Sequence, residues 1–250
     1  MRRLATAVSA AAFVLGIVIP SIAMSSAQYP RGNGNVQNGE QIFKNGKGDV
    51  PACTSCHGQD GMGDDNMGTP RIAGQFAIFL RKQLEDFATD KRMDTTMFVM
   101  NANAKGLSAQ DRNDVSTYLE SIKIKDDGTK GSDLKALAEN GTVVGQSHKG
   151  KSIVEFGQGN RAKPLAACRS CHGYNGRGAP PVYPRIGGQK YVYLVNQLKK
   201  WRDGSRNNDP MGQMQAIARA MTDEDINNAA AYLTGASDYT LGNMFTPYDH

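Results

Sequence analysis

The chain has 250 residues, of which 39% are hydrophobic and 21% charged, with 28 Gly, 10 Pro and a formal net charge of +5. That is too apolar for a disordered chain and too poor in long apolar runs for a multi-span membrane protein. Aromatic residues make up only 7%, which is thin for a self-supporting core, and the four cysteines fall in two short clusters, which excludes a dispersed disulfide framework.

Residues 1–27 read as a secretory signal. Arg2 and Arg3 lead into an apolar, small-residue stretch, and Ser25-Ser26-Ala27 offers a cut before Gln28. The competing reading is a retained anchor, but the strongly apolar core from Ala10 to Ile19 is short of the ~20 residues that a span needs. Removing the two arginines takes the formal charge from +5 to +3. No Lys/Arg cluster with interleaved aromatics follows, so nothing points to nucleic acid.

Two similar units come next, over 28–125 and 149–236, joined by a linker at 126–148. A short helix is predicted around Glu40 to Phe43. Then comes Cys53-Thr54-Ser55-Cys56-His57-Gly58, followed by Gly-rich loops and Pro70-Arg71-Ile72-Ala73-Gly74-Gln75. Phe76, Phe79, Leu80, Leu84 and Phe87 have the i, i+3, i+4 spacing of an amphipathic helix. Ser108 with Asp111 resembles a capping box that starts a helix running to about Ser121. The polar, Gly-bearing run from Asp126 to Ser132 opens the linker, and 133–148 is expected to hold a short helix and a loop. The second unit repeats the order. A short helix around Ser152 to Phe156 precedes Cys168-Arg169-Ser170-Cys171-His172-Gly173, which lies 115 positions after the first copy. From Pro184-Arg185-Ile186-Gly187-Gly188-Gln189 onward the offset is 114, through Gln83/Gln197, Met97/Met211, Met100/Met214 and Asp111/Asp225. Thr222 starts the last helix. The tail, 237–250, has no counterpart in the first unit. The pattern predicts an all-α duplicated domain without alternating strands.

Cys-x-x-Cys-His is the attachment signature of c-type haem. Two thiols two residues apart reach both vinyl groups of one porphyrin, and the next residue supplies an imidazole to the iron. Two copies, each at the same place in a repeat, point to two covalently bound haem c groups, held through Cys53, Cys56, Cys168 and Cys171 with His57 and His172 on the irons. A zinc ribbon spaces its cysteine pairs ~15–20 residues apart, and a thiol-redox pair has no need of the histidine. A large apolar porphyrin also accounts for the low aromatic content. The two remaining histidines, His148 and His250, are expected in solvent. That leaves methionine as the sixth ligand, which raises the haem potential. Met97 and Met100 both recur in the second unit, as Met211 and Met214, and either pair meets that description.

With those motifs in place, residues 36–236 resemble the dihaem cytochrome c4 family, built from two class I cytochrome c domains. The resemblance implies that the methionine shortly before the last helix, Met100 or Met214, is the distal ligand. It implies that the carbonyls of Pro70 and Pro184 accept the Nδ1 proton of the proximal histidines. It also implies that the haems lie close across the domain interface with their propionates near one another.

The expected function is a periplasmic carrier of single electrons between redox partners, such as a quinol-oxidising complex or dehydrogenase and a terminal oxidase. Members of the family often attach peripherally to the outer face of the inner membrane. Two alternatives stand beside it. One is the haem subunit of a dehydrogenase oxidising sulfide, thiosulfate or an alcohol. The other is a dihaem peroxidase, which needs one iron with an open position, whereas both units offer a methionine in the same place.

Overall fold

The computed structural model describes residues 32–124, 131–159 and 162–236. The signal at 1–27, the first part of the linker and the tail at 237–250 lie outside the described residues. The first unit contains α1 (Val36–Asn45), α2 (Thr54–His57), α3 (Ala77–Ala88), α4 (Met100–Lys105) and α5 (Ala109–Ser121). After α6 (Leu134–Glu139), the second unit contains α7 (Ser147–Phe156), α8 (Arg169–His172), α9 (Tyr191–Asp203), α10 (Gln213–Arg219) and α11 (Asp223–Gly235). Extended pairing among the described residues is confined to isolated bridges such as Asp64 with Thr69 and Ala179 with Tyr183.

Both predicted capping boxes form. Ser108 Oγ accepts from Asp111 N while Asp111 Oδ2 accepts from Ser108 N, and Thr222 with Asp225 does the same at α11. These close off backbone donors that a helix start leaves without partners. Both helices before the cysteine motifs are longer than their apolar spacing suggested, since their polar first turns add no apolar signal; at α1 the Asn35 side chain also accepts from Asn38 N.

In each unit the first helix crosses the last at close range, α1 over α5 and α7 over α11. The approach requires glycine. A Cβ on Gly39 would stand 2.2 Å from the Asp114 carbonyl oxygen, and one on Gly150 would stand 1.9 Å from that of Asn228. Ile42, Phe43, Leu80, Leu107, Val115 and Leu119 form the first core. Ile153, Val154, Tyr191, Leu194, Ile226 and Leu233 are among those forming the second. Each fully buried side chain of this size is worth about 1.5–3 kcal/mol. The chain from 131 to 145 packs on the second core. Leu137 is part of that cluster, Ser132 Oγ accepts from Tyr191 N, and the Tyr191 hydroxyl donates to the Val143 carbonyl.

Candidate haem sites

Each cysteine motif forms one helical turn that is stopped by a glycine. Gly58 and Gly173 adopt φ of +79° and +72°, and their N–H groups bond back to the carbonyls of Thr54 and Arg169. The turn puts both cysteines and the histidine of a motif on the wall of one cavity of about 650 Å³. The wall comprises Cys53, Cys56, His57 and Met100 from the first unit and Cys168, Cys171, His172 and Met214 from the second. That volume lies within the ~300–1,000 Å³ usual for cofactor clefts, and the rest of the lining is mostly apolar, including Leu80, Leu84, Leu194 and Leu198.

The histidines are prepared for a metal on one nitrogen only. His57 Nδ1 donates to the Pro70 carbonyl at 3.0 Å, and His172 Nδ1 donates to the Pro184 carbonyl at 2.9 Å. This fixes the tautomer and leaves Nε2 with its lone pair. Burial lowers the pKa of both rings, against the opposing pull of those carbonyls, so both imidazoles are neutral. The loop that brings each proline to its histidine turns on Gly63 and Gly178, at φ +73° and +82°; a Cβ on Gly63 would meet the Thr69 oxygen at 2.5 Å.

The thiols fit a thioether role better than a redox or zinc role. Burial pushes Cys53 and Cys168 up to about 11, which keeps them from being thiolates at neutral pH. Among the described residues no group of three or more His, Cys, Asp or Glu side chains converges as a metal site. Two thiols, one neutral imidazole and a methionine sulfur on an apolar wall suit a covalently attached haem in each unit.

The methionines differ in placement in the second unit but not in the first. Met100 opens α4 and Met214 lies in the first turn of α10; both line the cavity. Met97 lines it as well, whereas Met211 is 89% exposed and lies off it. His148 is exposed, and His250 lies outside the described residues. Asp94 fastens the loop before Met100, its carboxylate accepting from the N–H groups of Thr96, Met97, Val99 and Met100. Asp209 does so for Met214 and Gln215.

Sequence reading passed over the polar side chains that join the units. Gln75 Nε2 donates to the Arg185 carbonyl at 2.8 Å and its Oε1 accepts from Arg185 N at 3.0 Å. Gln189 makes the same pair of bonds to Arg71, at 2.9 and 2.6 Å. Their recurrence at the 114 offset is the signal that carried them.

The cytochrome c family model matches residues 36–123 and 158–237. A thiosulfate dehydrogenase electron acceptor of Stutzerimonas stutzeri is 33% identical over 207 residues, covering 82% of this chain and 89% of that protein. A cytochrome c4 of Pseudomonas aeruginosa is 31% identical over 192 residues, covering 76% and 86%. Among solved structures, a thiosulfate dehydrogenase (TsdBA) from Marichromatium purpuratum superposes with a TM-score of 0.71 at 29% identity, over 86% of this chain; the match spans 43% of that longer chain. Reduced cytochrome c4 from Pseudomonas stutzeri gives 0.63 at 26% identity, over 82% of this chain and all of that one. With a cytochrome c domain in each half and two covalently bound haem c groups, the chain belongs to the cytochrome c family as a dihaem electron-transfer protein of the cytochrome c4 type.

Proposed function

We propose that the protein carries single electrons in the periplasm between a donor, a quinol-oxidising complex or a dehydrogenase, and an acceptor such as a terminal oxidase. Cys53 and Cys56 hold one haem, with His57 and Met100 on its iron. Cys168, Cys171, His172 and Met214 hold the other. The haem supplies one-electron chemistry when bound; the chain supplies ligands and surroundings that stay the same in both oxidation states. The observation that carries this reading is the repetition of one donor set, a neutral proline-anchored histidine and a methionine on a fastened loop, in both units. A peroxide-reducing site would need the two to differ.

Charge divides between the units. Residues 32–124 contain 10 Lys and Arg against 12 Asp and Glu, whereas 131–236 contain 14 against 8. Asp60, Asp64 and Asp65 follow the first cysteine motif, whereas Arg169 lies within the second motif and Arg177 follows it. Partners of opposite sign would therefore dock on different units, one delivering and one receiving. Such steering weakens with salt over a Debye length of about 8–10 Å.

The similarity to a thiosulfate dehydrogenase electron acceptor favours a specific donor, a periplasmic dehydrogenase that oxidises thiosulfate. Stopped-flow reduction of the purified ferric protein distinguishes the donors. Reduction by thiosulfate only when such a dehydrogenase is present supports the dehydrogenase reading. Reduction by a quinol-oxidising complex, and not by the dehydrogenase, supports a respiratory shuttle.

A further inference from the structure

The interface holds a cluster that the ligand set leaves without a role. Arg92 and Arg206 are equivalent in the repeat, and each is only 7% exposed. Arg92 lies over the Phe87 ring at 4.5 Å and Arg206 over the equivalent Trp201 at 4.2 Å. Each guanidinium then reaches into both units. Arg92 donates to Gln83 Oε1 at 2.8 Å and to Gln197 Oε1 at 3.0 Å. Arg206 donates to Gln197 Oε1 at 2.8 Å and to Gln83 Oε1 at 3.1 Å. Both arginines line the cavity that also holds His57 and His172.

The cluster has more donors than its acceptors can serve. Gln83 Oε1 receives both arginines and the Asn208 amide on two lone pairs. Two buried like charges share a dry site, and burial together with the Arg92 charge pulls Arg206 down to about 9. Lys200 adds a third cation nearby. Among the described residues neither guanidinium makes an ion pair with a carboxylate. Asp209 is near enough to favour the charge on Arg206, but it is engaged by Met214 N and Gln215 N. The other acceptors are the Tyr193 hydroxyl, 3.1 Å from Arg92, and the Asn208 amide oxygen, 3.1 Å from Arg206. Buried cations held only by neutral amides and a hydroxyl lose more in hydration than those bonds return, so the site calls for an anion from the cavity.

We infer that Arg92 and Arg206 form one shared anion site at the domain interface that receives propionate carboxylates of both haems, so that either guanidinium acts on both irons. This rests on the two-haem reading above. A positive charge near an iron disfavours its ferric state, so removing one arginine lowers the potential of each haem that senses it.

The test is a spectroelectrochemical titration of the holoprotein with Arg92→Gln, Arg206→Gln and the charge-keeping Arg206→Lys. Both midpoint potentials fall in each Gln variant, and Arg206→Lys returns both toward wild type. A shift confined to one haem, no shift, or a Lys variant as low as the Gln variant overturns the proposal. Should a Gln variant fail to accumulate, infrared difference spectra of wild type with guanidinium-labelled arginine decide the matter. Arginine bands that change at both reduction steps agree with a shared site; a change at one step or at none overturns it. The optical spectrum of the same wild-type sample reports methionine ligation separately, so failure of the ligand assignment is told apart from failure of this site.

Discussion

Gln75 of the first unit grips the backbone of Arg185 in the second through both ends of its amide, at 2.8 and 3.0 Å, and Gln189 returns the same grip on Arg71. Each gripped residue directly follows the proline whose carbonyl orients a histidine. Domain docking and ligand orientation therefore share one piece of backbone.

Replacing Gln75 with leucine leaves Arg185 N and its carbonyl without these partners inside the interface. An abandoned buried polar group costs about 1–3 kcal/mol. Urea unfolding of the holoprotein is expected to show a midpoint lowered accordingly for Gln75→Leu and again for Gln189→Leu. An unchanged midpoint would show that the grip does not hold the units together.

Asp94→Ala removes the acceptor of four N–H groups in the loop before Met100. Hydrogen bonds to a charged acceptor contribute about 1.5–3 kcal/mol. The loop loosens, and the ferrous variant binds carbon monoxide at the first haem at least tenfold more readily than wild type. Equal carbon monoxide binding would assign Asp94 a purely local role.

Met211 is 89% exposed and Met214 lines the cavity. Met214→Ala is expected to remove half of the weak red absorption that marks methionine sulfur on ferric iron. Met211→Ala leaves it intact. The reverse pattern would exchange their roles.

Burial would raise the Asp111 carboxyl, but hydrogen bonds from Lys47, Ser108 and Asn38 outweigh it and hold the group down to about 2, against 3.8 for the ordinary side chain. A carboxyl depressed in the folded state stabilises above its unfolded pKa and loses that contribution as pH falls through the folded one. Asp111→Asn should cost about 1–2 kcal/mol at neutral pH. The difference from wild type narrows below about pH 4 and is gone only below about pH 2. A pH-independent difference would trace the loss to packing.

The duplication, both capping boxes and the Cys-x-x-Cys-His turns were legible because they rest on local spacing. The choice between Met211 and Met214 was not, since both recur with the first unit and only the left-handed turn at Met211, φ +57°, sends one of them outward. The Gln75, Gln189, Arg92 and Arg206 contacts were hidden for another reason. Their partners across the interface are 105–123 positions away, and polar side chains on a helix read as surface until a second domain covers them.

A pair of equivalent His/Met haems would exchange electrons without binding substrate. An optical and spin-state measurement on haem-quantified ferric protein, before and after adding cyanide or peroxide, tests it most directly. Two haems per chain are expected, both low-spin, with the methionine band at the strength of two bonds and no fast reaction. A high-spin haem that reacts promptly with peroxide would contradict it.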